Sequence, residues 1–197
     1  MKLLKIVMAS AAMAFSGAVA AAPAATAQGT SVIVIDQARI MRDSAGGKDI
    51  MNKIASIEQT IQSELGPIQS SLVSEGQALE AKTANMSREA MVADDQLRAE
   101  AEAYAVKAQN FNRQRQVAAA EFQATERAAW TKFFQAMQPV LEEVVAERNA
   151  DIMLDASDVV WSGESTDATA IVISKMDAAL PTVNVVRQKL PTQQQQQ

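Results

Sequence analysis

Two long runs of apolar residues spaced by threes and fours constrain this chain more than any other feature. The first runs through Ile50, Ile54, Ile57, Ile61, Leu65, Ile68, Leu72 and Leu79. The second runs through Leu97, Ala101, Tyr104, Ala108, Phe111, Arg115, Ala118, Phe122, Thr125 and Ala129, with Arg115 and Thr125 as its two polar members, and on through Phe133, Met137, Val140 and Val144. Such spacing puts an apolar seam on one face of a helix, which must find a partner seam to leave water. Between the runs, from Ala84 to Ser87, the periodicity lapses and Ser87 reads as the N-cap of a second helix. A reversal there makes residues 48–148 an antiparallel helical hairpin, with Leu72 opposite Leu97, Leu65 opposite Tyr104 and Ile57 opposite Phe111. At ~1.5 Å per residue the first helix reaches roughly 50 Å, more than a compact domain needs, so the hairpin projects as an arm. Gly66-Pro67 interrupts the first helix and predicts a bend, because proline removes a backbone hydrogen bond and crowds the preceding turn.

The segments on either side of the arm have a different rhythm. Ser31 to Asp36 is a β-branched run that reads as a buried strand, followed by a break at Gly46-Gly47. After Asn149, Asp151 to Asp155 alternates as a strand does, Val159-Val160-Trp161 reads as another, and Thr182 to Val186 as a last one. Thr166 or Asp167 caps a helix running to Leu180, which Pro181 ends. The fold class is therefore α+β. Residues 28–47 and 149–190 form a small β body on which the arm is mounted, and 191–197 is a polar tail, ending in five glutamines, expected to be disordered. Three or four short strands and one helix bury little apolar surface and leave sheet edges open, so Val32, Val34, Ile152, Leu154 and Val160 are the residues expected to build the body and its oligomer contact.

The N-terminus carries an address. Lys2 and Lys5 precede an apolar run from Ile6 to Val19, and Ala25-Thr26-Ala27 offers the small-residue pattern of a cleaved secretory signal, with Ala20 to Ala22 as a second candidate. Residues 1–27 are thus expected to be removed on export. Without them Lys and Arg number 16 against 23 Asp and Glu, a net charge of −7, which argues against nucleic acid as a partner. The chain has no Cys and no His, so the usual nucleophiles, the usual general base and the commonest transition-metal ligands are missing together.

The strand SVIVIDQARIM, the long hairpin and the segment ADIMLDASDVVWSGESTDATAIVISKM resemble the Skp/OmpH family of periplasmic chaperones. In that family a strand ending in Asp is followed by a hairpin, a strand ending in an aromatic and an Asp-capped helix; Leu154-Asp155, Val160-Trp161 and Asp167 occupy those places. The resemblance implies a jellyfish-like homotrimer whose bodies close a barrel of about nine strands and whose arms enclose unfolded outer-membrane proteins. It also implies a periplasmic location and transient dealings with the outer-membrane assembly machinery. The best-known members are basic, whereas this chain is acidic, which argues against capture at anionic lipid or lipopolysaccharide.

Several motifs invite sharper chemistry. Ala45-Gly46-Gly47-Lys48 lacks the first glycine and the hydroxyl residue of a phosphate loop and reads as a turn entering a helix. Asp151, Asp155 and Asp158 lack the glycine and terminal glutamate of a calcium loop. Asp94-Asp95 and Glu142-Glu143 read as solvated helix faces rather than paired catalytic acids. No catalytic residue, metal or cofactor is implied. On the second helix Val92, Ala99, Val106 and Val117 form a thin apolar line away from the seam, a candidate client-binding wall to which Met51, Met86 and Met91 could add adaptable surface. An ATP-independent holdase is the leading reading, and a coiled-coil scaffold or adaptor of the cell envelope is the alternative.

Overall fold

A computed structural model describes residues 29–190. The signal segment and the glutamine tail lie outside them. Seven elements follow in order: strand β1 (Val32–Ile35), helices α1 (Gln37–Asp43), α2 (Ala45–Thr83), α3 (Arg88–Ala93) and α4 (Asp95–Arg148), strand β2 (Ile152–Asp155) and helix α5 (Thr169–Ala179). Single 3-10 turns at Ala156–Asp158 and Glu164–Thr166 link β2 to α5.

Among the described residues the body holds two strands rather than three or four. β1 and β2 pair in parallel, from Val32 with Ile152 to Ile35 with Asp155. Parallel partners require a crossover, and here the crossover is the entire arm. The other side of β1 is closed by Asp167, bridged to Val34, and by the Ala168 N–H, which donates to the Val34 carbonyl. Val159-Val160-Trp161 is therefore not a strand: the open side of β1 is taken, and Asp155 accepts from the Ser157 N–H at 2.8 Å, turning the chain away from the sheet. Thr182 to Val186 has no strand partner either.

Helix α1 goes beyond the sequence expectation. Asp36 is its N-cap, accepting from the Arg39 N–H at 2.8 Å, and Ile40 on its inner face is fully buried. Ser44 then caps α2 through Gly47, so the arm helix starts at Ala45 and Gly46-Gly47 lies inside its first turn instead of breaking it. Closeness is the reason for glycine: a Cβ on Gly46 would collide with the Leu180 carbonyl, and one on Gly47 with that of Met41. α2 continues as one helix through Pro67.

One core unites these elements. Phe133, Met137, Val140 and Val144 of α4 pack with Ile33 and Ile35 of β1, Ile40, Ile50, and Val172 and Met176 of α5. The Phe133 ring meets Trp130 edge-on at 5.6 Å and Phe134 at 5.9 Å, arrangements favoured by the ring quadrupoles. Ile50, the first residue of the seam by spacing, belongs to this core, and Ile54 packs against it. α5 starts at Thr169, with Asp167 accepting from the Thr169 N–H at 2.8 Å. α4 ends at Asn149 in the left-handed conformation, φ 47°, which turns the chain into β2.

Candidate functional site

The arm consists of α2 and the first two-thirds of α4, and its register differs from the expected one. Lys82 pairs with Glu100, Lys107 with Glu75 at 2.6 Å, and a Cβ on Gly76 would lie 3.0 Å from the Tyr104 hydroxyl. These partners centre the reversal near residue 91 instead of between 84 and 87. Leu97 consequently neighbours Leu79, Thr83 and Met91 rather than Leu72, and Leu65 shares a groove with Ala118 and Phe122 rather than meeting Tyr104. The cause is local. Ser87 does cap a helix, but only the six residues of α3; Asp94 caps α4 by accepting from the Leu97 N–H at 2.9 Å.

Within this register Leu72, Leu97 and Phe111 are buried, and Ile54, Ile57, Ile61, Leu65 and Tyr104 are half-buried, as a two-helix seam with one open side leaves them. Arg115 does not enter the seam; it is exposed, with its guanidinium 5.9 Å from the centre of the Phe111 ring.

The outer apolar line is on the surface. Val92 is 64% exposed, Val106 52% and Val117 37%, and Ala99 is exposed as well. Val92, however, is on α3, so the line is not one face of one helix. The methionines do not join it as a group. Met86 and Met91 are half-buried at the arm tip, Met91 beside Leu79 and Leu97 and Met86 beside Lys82. Met51 is exposed at the base, roughly 50 Å away along α2 at ~1.5 Å per residue.

On the body, Val34 is buried and Val32 half-buried, while Ile152 and Leu154, two apart on β2, both face outward. Val160 and Trp161 are exposed by 106% and 82%. Four large apolar side chains therefore meet water on one small body, and β2 is paired along only one edge.

The carboxylates singled out by the sequence have structural work. Asp151 accepts from the Ser31 N–H at 2.8 Å and Asp155 from the N–H groups of Gln37 and Ser157. Hydrogen bonds from Ser157 and Gln37 hold Asp155 below the usual carboxylate range, and Thr169 does the same for Asp167. Glu143 and Glu147 grip Lys175 of α5 at 2.8 Å each, raising its pKa. Among the described residues no cluster of three or more acidic side chains could hold a metal ion.

One feature of the arm base escaped the sequence reading. Residues 181–190 form a strap across α2 and α4. The Val183 N–H donates to Asp49 at 2.8 Å and its carbonyl accepts from Lys53 at 2.8 Å; Lys132 donates to the Asn184 carbonyl at 2.9 Å. Further along, Arg187 donates to Glu64 of α2 at 2.7 Å and Glu121 of α4 at 2.8 Å. Glu121 and Thr125 are buried, although they lie on an otherwise apolar helix face. Thr125 had stood out as a polar member of the seam; Arg187 and Glu121, far apart in the chain, carry no local signal.

Comparison with known proteins identifies the scaffold. Residues 31–176 match the family described as outer membrane protein (OmpH-like). The fold is similar to the crystal structure of a candidate outer membrane chaperone (OmpH-like) from Caulobacter crescentus CB15. The TM-score is 0.71 at 25% identity, covering 83% of this chain and 94% of that one. No curated protein matches. With the family match spanning both strands and the whole arm, this chain belongs to the OmpH-like outer membrane protein family.

Proposed function

We propose that the chain is an ATP-independent holdase chaperone that receives unfolded outer-membrane proteins in the periplasm. The observation that carries this reading is the arm: a two-helix projection with Leu72, Leu97 and Phe111 buried between its helices and Val92, Val106 and Val117 turned to solvent. Each valine offers little apolar area, so each contact is weak, and holding comes from many such contacts made at once. Weak, repeated, non-directional contact suits a partner that has no fixed shape. The chaperone description of the Caulobacter relative supports the same reading.

A single arm encloses nothing, and the reading includes a homotrimer. Exposed Ile152, Leu154, Val160 and Trp161 on the body and the unpaired edge of β2 are its support, since apolar side chains and strand edges of this kind are normally covered. The role is binding rather than catalysis: the chain lacks His and Cys, and of the paired carboxylates Asp94 accepts from the Leu97 N–H, Asp95 pairs with Arg98, Glu142 accepts from Gln138 and Glu143 holds Lys175. Export follows from residues 1–27, whose removal N-terminal sequencing of periplasmic protein would register.

Dilution of a urea-unfolded porin into buffer, followed by light scattering, tests the proposal. A holdase suppresses scattering at near-stoichiometric amounts without ATP. A coiled-coil scaffold leaves the scattering of the porin unchanged.

A further inference from the structure

We propose that the groove between α2 and α4 at the base of the arm is a binding site for an extended peptide with an aliphatic-x-aliphatic-x-arginine pattern. The chain's own strap, residues 181–190, is its resident occupant, and a client segment enters when the strap leaves. This deepens the holdase reading and rests on it for the identity of the client.

The strap lies beyond residues 31–176, which match the family. It is extended, and its side chains alternate. Val183 is buried, Val185 half-buried and the Arg187 side chain 16% exposed, whereas Asn184, Val186 and Gln188 face water. No sheet meets its main chain; helix side chains do. Besides the bonds of Val183 and Asn184 to Asp49, Lys53 and Lys132, the Gln188 N–H donates to the Thr125 hydroxyl at 2.9 Å and the Leu190 N–H to Glu121 at 3.2 Å. Contacts to backbone are indifferent to sequence, so this clamp accepts any extended segment whose alternate side chains fit the floor.

With the strap in place Glu121 and Thr125 are buried; the Thr125 hydroxyl donates to the Glu121 carbonyl within α4 at 2.6 Å, whereas the buried Glu121 carboxylate takes its cationic partners from outside the helix. Among the described residues the cations that meet Glu121 are Arg187 and, at 3.6 Å, Lys189, both on the strap. Beyond Arg187 the groove stays open, with a volume of about 390 Å³ lined by Leu65, Ile68, Gln114 and Val117. Val117 belongs to the outer apolar line, so strap and arm surface are continuous. An unfolded membrane-spanning β-strand likewise projects alternate side chains to one face, the geometry in which the strap presents Val183, Val185 and Arg187 to the groove.

The test uses the full chain with Arg187→Gln, and with Val183→Ser/Arg187→Gln as a stronger release. The probe is a labelled peptide of residues 181–190, PTVNVVRQKL, beside a scrambled peptide of the same composition, with binding read by fluorescence anisotropy. Tethering fills a site at an effective concentration in the millimolar range, so the wild type should bind the peptide weakly and the released variants at least ~10-fold more tightly. The scrambled peptide should gain nothing. Hydrogen exchange at Val183 and Gln188 reports release, and circular dichroism reports the arm. Released, folded variants that treat both peptides alike would overturn the proposal. In a second measurement, unfolded porin added to wild type should remove exchange protection from the strap. If scattering is suppressed while the strap stays protected, the groove proposal fails and the holdase reading stands. If scattering is not suppressed at all, the holdase reading fails and the peptide result still decides the groove.

Discussion

Arg187 donates to Glu121 at 2.8 Å across 66 residues of sequence, joining the extended strap to the middle of α4, where Glu121 is 4% exposed. Its other nitrogen reaches Glu64 on α2, so one guanidinium ties both helices of the arm to the C-terminal segment.

That attachment is lost in acid. Hydrogen bonds from Arg187 hold Glu64, and those from Lys53 and the Val183 N–H hold Asp49, below their ordinary values of 4.5 and 3.8. A carboxylate whose pKa is lowered on folding contributes stability that is complete above the unfolded pKa and is lost as pH falls through the folded one. Strap amides should therefore keep constant protection factors from pH 7 to about 5 and lose protection below pH 4, while the seam around Phe111 retains its own. Amide exchange corrected for intrinsic rates measures it; uniform loss in strap and seam would contradict a separate acid-sensitive clasp.

The glycines separate by what surrounds them. Gly47→Ala forces a methyl group into the Met41 carbonyl and should lower stability by about 3 kcal/mol, or prevent folding of the body. Gly66→Ala has no atom within 4 Å of its new Cβ and should stabilise the helix by roughly 0.5–1 kcal/mol. Urea titrations of the two variants should move in opposite directions.

Register is testable because the chain has no cysteine of its own. Gly76→Cys with Tyr104→Cys should join readily through a short bismaleimide, whereas Leu65→Cys with Tyr104→Cys should not. Separately, Phe111→Asp places an unpaired charge in the seam and should cost about 3–4 kcal/mol, read by loss of arm helicity.

Much of this architecture was legible because it repeats. Apolar spacing of three and four is redundant over many turns, so the helices and the positions of Leu72, Leu97 and Phe111 followed from the sequence. The register did not, since Ser87 and Asp94 are equally good caps and only the pairing of Lys82 with Glu100 and Glu75 with Lys107 chooses between them. Val159 to Trp161 has strand composition, but composition cannot say that Asp167 has already taken the edge of β1. Gly46 and Gly47 read as a break for the same reason: their need is close approach to Leu180 and Met41, which are distant or unmarked in the sequence. Of the candidate surface, exposed Val106 and Val117 follow from the geometry of the second helix, whereas Val92 is on α3 and the strap depends on partners that are brought together only by the fold.

The oligomer has its own expectation. Mass in solution should correspond to three chains, and Trp161→Asp with Val160→Asp should shift it towards one, since both side chains are exposed on the body and outside its core. A trimer unaffected by the double variant would move the contact elsewhere on the body.

Light scattering of a urea-diluted porin with wild type and with Val92→Ser/Val106→Ser/Val117→Ser tests whether the exposed valines of the arm hold unfolded protein. All three positions are exposed, so helicity and mass should be unchanged. Each loses on the order of 0.5–1 kcal/mol of apolar contact with the client, repeated on every arm. Wild type should suppress scattering strongly and the triple variant clearly less; equal protection by a folded variant, or none by wild type, would show that these valines do not hold the client.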